Sequence, residues 1–306
     1  VFLRDEDVYK VKKPVDLGFL DFRTIEQRRR ACEAEVRLNA RLAADVYLGV
    51  RPVVRGVDGV HRIAAGAAGG AVVDWAVHMR RLSDAERADT LLEQGRLGVA
   101  EVDRMVTAVA AMHADARADA HTAAFGDPVR IEHNVRENFE QTRDAIEAIL
   151  EPSEAQAIED WQLGFLREHR AHFAERIARG RVRDGHGDLR LEHFYLGGAD
   201  RSAVRVIDCI EFNERFRFAD VCADLAFLAM DLAWHGRVDL AERALATYAR
   251  ETSDFDLYRL VDFYESYRAY VRGKIATLLA TDRSAPAPAR ERARRRARRY
   301  FLLALA

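Results

Sequence analysis

Only three cysteines occur in the 306 residues, at 32, 209 and 222, and they show neither metal-ligand spacing nor an even count. That excludes a disulfide scaffold and suits a reducing cytoplasm. Six prolines are too few for a proline-rich linker architecture, and with abundant alanine and arginine the chain should be mostly helical. No apolar run approaches the roughly 20 residues that span a bilayer, and no signal-peptide pattern opens the chain. Charge of one sign is missing too: 48 Lys and Arg against 50 Asp and Glu leave a formal net charge of −2. Nothing global therefore pulls the protein toward nucleic acid or an anionic membrane. A soluble cytoplasmic protein of one large or two modest domains is expected.

What is present divides the chain in two. Residues 1–80 read as strands with one helix. "VFL", a charged turn and "VYKVKKPV" form a hairpin, and Thr24–Ala44 is helical with Ile25, Cys32, Val36 and Leu42 facing inward. "VYLGVRPVVR", "VHRIAA" and "AVVDWAVHM" follow as strands. "AGAAGG" at 65–70 is a turn and no phosphate cradle, because no helix follows it. Residues 81–306 carry long helical patterns, broken by two short extended pieces, "HFYL" and "AVRVID". The fold class is thus α+β, a strand-rich lobe and a larger helical lobe, and ligands favour the cleft of such an arrangement.

Chemistry-bearing residues fall in an informative order. Lys10 or Lys12 lies on an early strand, and Glu33 or Glu35 on the helix after it. Asp188 sits in the polar turn "DGHGDLRLEHFYL", and Asp208 ends the strand "VRVID". A strand lysine held by a helix glutamate, with two downstream carboxylates, is the logic of phosphoryl transfer. An unpaired carboxylate at the end of an apolar strand would be costly, so Asp208 should meet a cation. Alternation puts Lys10 and Lys12 on the same strand face. Lys12 is the first choice, having apolar residues one and three places before it, and Lys10 stays open. Glu35 is the preferred glutamate.

"HGDLRLEH" resembles the "HGDLHxxN" loop of the aminoglycoside phosphotransferase and choline kinase superfamily, and "AVAAMHAD" and "ADLAFLAMDL" are similar to two of its helices. "VYKVKKPVDLGFLDF" and "CEAEVRLNARL" look closer to the kinase-like half of bacterial bifunctional aminoglycoside phosphotransferase/ATP-binding proteins, in which a P-loop ATPase domain follows. No G-x-x-x-x-G-K-[ST] is present here. The resemblance implies a protein-kinase-like two-lobe fold whose glycine-rich loop precedes residue 1. It implies ATP and magnesium as cofactors, a small-molecule hydroxyl as acceptor, and a P-loop ATPase domain or partner beyond this chain.

Under that resemblance Asp188 is the catalytic base and His186 anchors its loop. Lys12 or Lys10, with Glu35, serves the nucleotide phosphates, and Asp208 binds magnesium. Backbone groups near Val77, His78 and Met79 would meet adenine, with Met79 as an apolar lining. The family's second metal ligand is an asparagine, and His193 stands in its place. Imidazole suits magnesium poorly. Either His193 hydrogen bonds within the loop, or Glu211 or Asn213 supplies an oxygen, or the site binds nucleotide with little turnover. Tyr264, Arg268 and Arg272 share a helical face and would suit a sugar-like or anionic acceptor better than a polycationic aminoglycoside. The arginine-rich segment 290–299 reads as a charged helix with an apolar packing end, in preference to a nucleic-acid patch.

Overall fold

A computed structural model describes residues 1–16, 18, 20–64, 70–197 and 203–305; the "AGAAGG" turn therefore lies largely outside the described residues. Strands β1 (Phe2–Arg4) and β2 (Asp7–Val11) form the expected hairpin and lead into helix α1 (Ile25–Ala43). Thr24 starts α1 with a capping box, its hydroxyl accepting from the Gln27 N–H. Strands β3 (Tyr47–Arg55), β4 (His61–Ile63) and β5 (Ala71–Arg80) follow. Next come α2 (Ala88–Glu93), α3 (Val99–Asp115), α4 (Ala120–Ala123), α5 (Pro128–Ile146), α6 (Pro152–Glu168) and α7 (Arg170–Ala178). Helices α6 and α7 are separated at His169, whose backbone leaves the helical region. Strand β6 (Val182–Asp184), the hairpin β7 (Phe194–Leu196) and β8 (Val204–Val206), α8 (Glu214–Arg217) and β9 (Phe218–Asp220) follow, the polar turn lying between β6 and β7 in the chain. Helices α9 (Val221–Trp234), α10 (Val238–Thr252), α11 (Val261–Thr281) and α12 (Ala287–Leu305) complete the chain. This is the α+β class expected from the sequence. Among the described residues, no helix is long and apolar enough to cross a membrane.

Two compact units result, and their boundary is not at residue 80. The first is Val1–Ala108 with His186–Arg217; the second is Val109–Gly185 with Phe218–Ala306. The 186–217 segment joins the sheet-containing unit because Ile207 packs into that unit's core, against a cluster of Cys32, Val46, Tyr47, Val77 and Met79.

In the first unit the five strands are antiparallel in the order β1-β2-β5-β3-β4. Central strand β5 pairs with β2 on one flank, Lys10 opposite Val77, and with β3 on the other, Val50 opposite Val77. Helix α1 covers the sheet with Cys32 and Leu38, whereas Ile25, expected inward, is exposed at the first helical position. In the second unit α9 is buried on nearly all sides. Arg176 binds Asp220 bidentately (2.8 and 2.5 Å) and Asp254. His113 of α3 meets Asp224 of α9 at 3.2 Å and Tyr248 at 2.9 Å, so the two family-like helices touch. Helix α12 packs its apolar side, with Tyr300 stacked on Trp234 at 3.8 Å. Its arginines reach Glu154 and the carbonyls of Ala148, Ile149 and Trp234.

Candidate active site

All the charged residues singled out around Asp188 and Asp208 lie in the first unit. The polar turn is built on Gly187, whose φ is +86° and where a Cβ would stand 2.6 Å from the Phe216 carbonyl oxygen. Only glycine fits there. His186 is buried. Its Nε2–H donates to the Ile207 carbonyl (3.0 Å), its Nδ1 accepts the Asp188 N–H (3.3 Å), and its own carbonyl accepts the Ile210 N–H (3.1 Å). Both ring nitrogens are thus committed to backbone, which makes His186 the clip between the Asp188 turn and the Asp208 segment. These are the contacts of a loop anchor, the part expected of it.

Asp188 is three-quarters buried and is gripped by Arg190 through two hydrogen bonds of 3.0 and 2.9 Å. Arg190 also pairs with Glu192. His193 donates from Nδ1 to the Asp188 carbonyl at 2.7 Å. Its Nε2 lies 3.8 Å from an Asp188 oxygen and 3.8 Å from an Asp208 oxygen. One imidazole nitrogen thus lies 3.8 Å from an oxygen of each of the two carboxylates, and 3.8 Å from Glu192 as well. Of the alternatives weighed for His193, hydrogen bonding within the loop is present, while Glu211 and Asn213 are engaged elsewhere. Glu211 binds Lys12, and the Asn213 side chain accepts the Arg215 N–H at 3.0 Å.

Asp208 lies two residues past β8 in the left-handed region, φ +65°. A non-glycine residue there costs of order 1–3 kcal/mol and persists only where the surroundings overdetermine it. They do: its N–H donates to the Tyr47 hydroxyl (3.1 Å), and the next N–H, of Cys209, donates to Asn39 Oδ1 (2.9 Å). Its carboxylate meets Lys10 at 2.5 Å. Burial pushes the Asp208 carboxyl up, but Lys10 and His193 outweigh that and hold it below the usual range.

Both lysines project to the face of α1, as alternation requires, and both reach Glu35, which is fully buried. Lys10 lies 3.0 Å from one of its oxygens and Lys12 2.5 Å from the other. They then diverge. Lys10 is 28% exposed at its side chain and goes on to Asp208, whereas Lys12 is 6% exposed and goes on to Glu211. Burial opposes both charges, yet the carboxylates prevail and raise both ammonium pKa values. Glu211 moves upward from burial, despite Lys12. Glu33 is exposed and pairs with Arg29 instead.

Other expected site residues take different places. Val77 and Met79 are buried in the sheet core, and β5 is paired on both flanks through residues 76–79. The ladder uses their backbone groups, so the adenine-edge expectation there is corrected. Backbone beyond the strand begins after Arg81, whose N–H still donates to the Glu6 carbonyl. In the second unit Tyr264 and Arg268 are buried. Arg268 donates to the Ala223 carbonyl (3.3 Å) and lies over Phe227. These two are core residues and do not present a substrate surface. Arg272 instead lines a cavity of about 450 Å³ with Arg292 and Arg296.

Arg190, Glu211, Tyr47 and Asn39 carry site geometry that the sequence reading did not assign them. Arg190 had a visible signal, a guanidinium two residues after the base. Tyr47 and Asn39 had none, since a helix and a strand far away in sequence bring them in.

The donor set suits magnesium in part: two carboxylates lie close to one another around His193 Nε2, and Mg²⁺ is commonly held by one or two carboxylates, waters and substrate phosphates. Among the described residues no group of three or more His, Cys, Asp or Glu side chains is arranged to hold a metal ion.

No family model matches the chain. Two proteins of Mycobacterium tuberculosis strains and one of Mycobacterium bovis, each named only as an uncharacterized protein, are 33% identical over 275 residues. The match covers 90% of this chain and 52% of each relative, so the chain spans about half the length of the curated relatives it matches. Among solved structures, it is similar to a putative aminoglycoside phosphotransferase from Ralstonia eutropha (15% identity, 90% of this chain and 84% of that one, TM-score 0.47). It is also similar to an aminoglycoside phosphotransferase from Streptomyces rimosus in complex with ADP and streptomycin (18%, 85% and 87%, TM-score 0.42). A third is a glucosamine kinase (16%, 77% and 62%, TM-score 0.38). The chain itself shows a five-stranded antiparallel sheet in one unit and a mostly helical second unit.

Proposed function

We propose that this chain is an ATP-dependent phosphotransferase that moves the γ-phosphate to a hydroxyl of a small molecule. One observation carries the reading: Asp188 and Asp208, twenty residues apart, each bring an oxygen to 3.8 Å from His193 Nε2 while Lys10, from the other end of the sequence, reaches Asp208. Paired carboxylates beside a lysine held by a buried glutamate are what phosphoryl transfer requires. Most of its catalysis is positioning and charge neutralisation around a loose transition state.

In this reading Lys10 turns from Asp208 to the nucleotide phosphates and offsets their charge, still anchored by Glu35. Asp188 orients the acceptor hydroxyl and takes its proton as the bond to phosphorus forms and the bond to the ADP oxygen breaks. Arg190 fixes the plane of the Asp188 carboxylate through its two hydrogen bonds. Asp208, with Asp188 opposite, would hold magnesium, which when bound supplies charge neutralisation on the phosphates. The acceptor class stays at a sugar-like or other hydroxylated metabolite, aminoglycosides included, because Tyr264 and Arg268 are spent in the core.

A second reading is a nucleotide-binding module with little turnover. It is favoured by His193 at the metal position and by the Arg190 grip on Asp188. ADP release with a panel of sugars and aminoglycosides, alongside magnesium-dependent ATP binding, separates the two. A phosphotransferase loses turnover in Asp188→Asn while keeping nucleotide. Binding without turnover in the wild type, on every acceptor, selects the module. A wild type that binds no ATP defeats both.

A further inference from the structure

Five charges alternate along one line of contacts: Asp208, Lys10, Glu35, Lys12, Glu211. Both ends of the line sit on the same loop, three residues apart, and both lysines sit two apart on one strand run. Exposure decides what each half can do. The outer pair is open, 47% for Asp208 and 28% for Lys10; the inner pair is closed, 6% for both Lys12 and Glu211. The Phe22 ring lies 5.6 Å from the Lys12 ammonium as well. A phosphate taking Lys12 would have to displace two carboxylates from a buried position, leaving Glu211 without its lysine and Glu35 with Lys10 alone. Lys10 gives up only an exposed partner.

We infer that Lys12 and Glu211 are positioning residues, a clamp that holds the 208–211 segment on β2 and α1 so that Asp208 keeps its place when Lys10 leaves it. The inference rests on the nucleotide reading above and adds a division of labour between the lysines. Its physical basis is the left-handed backbone at Asp208, which needs restraint from outside. Three tethers supply it at 208, 209 and 211, from Tyr47 of β3, Asn39 of α1 and Lys12 just past β2. Of these only the last is ionic, and it also shares its carboxylate partner Glu35 with the mobile lysine.

Titration calorimetry with ATP, in EDTA and then in magnesium, tests this on wild type, Lys10→Met, Lys12→Met and the double variant Lys12→Met/Glu211→Gln. Lys10→Met should weaken metal-free ATP binding by about tenfold, as loss of a charged hydrogen bond to phosphate does. Lys12→Met should stay within about threefold of wild type without metal, but lose about tenfold of the affinity that magnesium adds. The sign is diagnostic. Simple electrostatics predicts that removing a positive charge near Asp208 strengthens the magnesium gain, whereas a lost clamp weakens it. The double variant removes the buried pair together, leaves Glu35 its Lys10 partner, and keeps the test alive should Lys12→Met fail to fold. Its charge change cancels, so it too should lose the magnesium gain. A Lys12→Met that binds metal-free ATP as poorly as Lys10→Met makes Lys12 a phosphate ligand and overturns the clamp. So does an unchanged or larger magnesium gain in either variant. A wild type that binds no ATP overturns the nucleotide reading first, and the clamp with it.

Discussion

Replacing Glu35 by glutamine removes one charge from the centre of the buried line and changes almost no volume. Glu35 is 0% exposed and touches both ammonium groups, at 2.5 and 3.0 Å. Breaking a buried pair by deleting one partner costs about 3–5 kcal/mol, since the other charge is left uncompensated. Here Lys12 keeps Glu211 and Lys10 keeps Asp208, so the loss should lie at the low end, about 3 kcal/mol. For a unit of this size that is a fall in Tm of roughly 6–12 °C. Both lysine pKa values are raised in the fold, so the contribution is complete below the ordinary lysine value and fades only as pH rises through the raised ones. The difference between wild type and Glu35→Gln should therefore be constant across the neutral range. Calorimetric melting measures it, with Glu33→Gln as control: that residue is exposed and paired only along its own helix, so its Tm should move by less than about 2 °C. A Glu35→Gln variant that melts as late as Glu33→Gln would refute the claim that the line of charges is held by its centre.

Three further outcomes follow from other parts of the molecule. Glu265 is pushed up to about 7 by burial, Asp262 and Glu242. Its neutral form suits the fold, and stability present below its ordinary value is lost as pH rises through about 7, so Glu265→Gln should leave Tm unchanged near about pH 5 and raise it by several degrees near about pH 9. Gly187→Ala meets the Phe216 carbonyl oxygen and an unfavourable φ; a loss of about 1–3 kcal/mol in denaturant titration and of ATP turnover is expected, with secondary structure kept by circular dichroism. Arg176→Ala leaves Asp220 and Asp254 buried without their guanidinium, and should cost about 3–5 kcal/mol in the same titration.

Much of the site was legible because its parts are local. A glycine before an acid in a polar turn, an acid closing an apolar strand, and lysines alternating on an edge hairpin are patterns that a dozen residues declare by themselves. The pairing of Glu35 in preference to Glu33 was also readable, since on α1 one faces the packing side and the other water. Errors cluster where a side chain's fate depends on distant chain. Tyr264 and Arg268 share a helical face as expected, but α9 covers that face, and an aromatic-and-arginine stripe looks the same over a pocket or a core. Val77 and Met79 sit on the expected strand, yet pairing on both flanks spends their backbone groups, and flank occupancy is a property of the sheet.

The sequence by itself determined the order of elements, the two carboxylates, the buried glutamate and the helical character of the second half, since periodicity and local turn chemistry act over a few residues. Only the tertiary structure decided which lysine reaches Asp208, that Arg190 grips Asp188, that the 186–217 segment belongs with the sheet, and that Tyr47 and Asn39 hold a left-handed aspartate in place. Those outcomes turn on distances of a few ångströms between residues up to 199 apart in the chain. Coulomb energy and desolvation change steeply over such distances, and no local pattern encodes them.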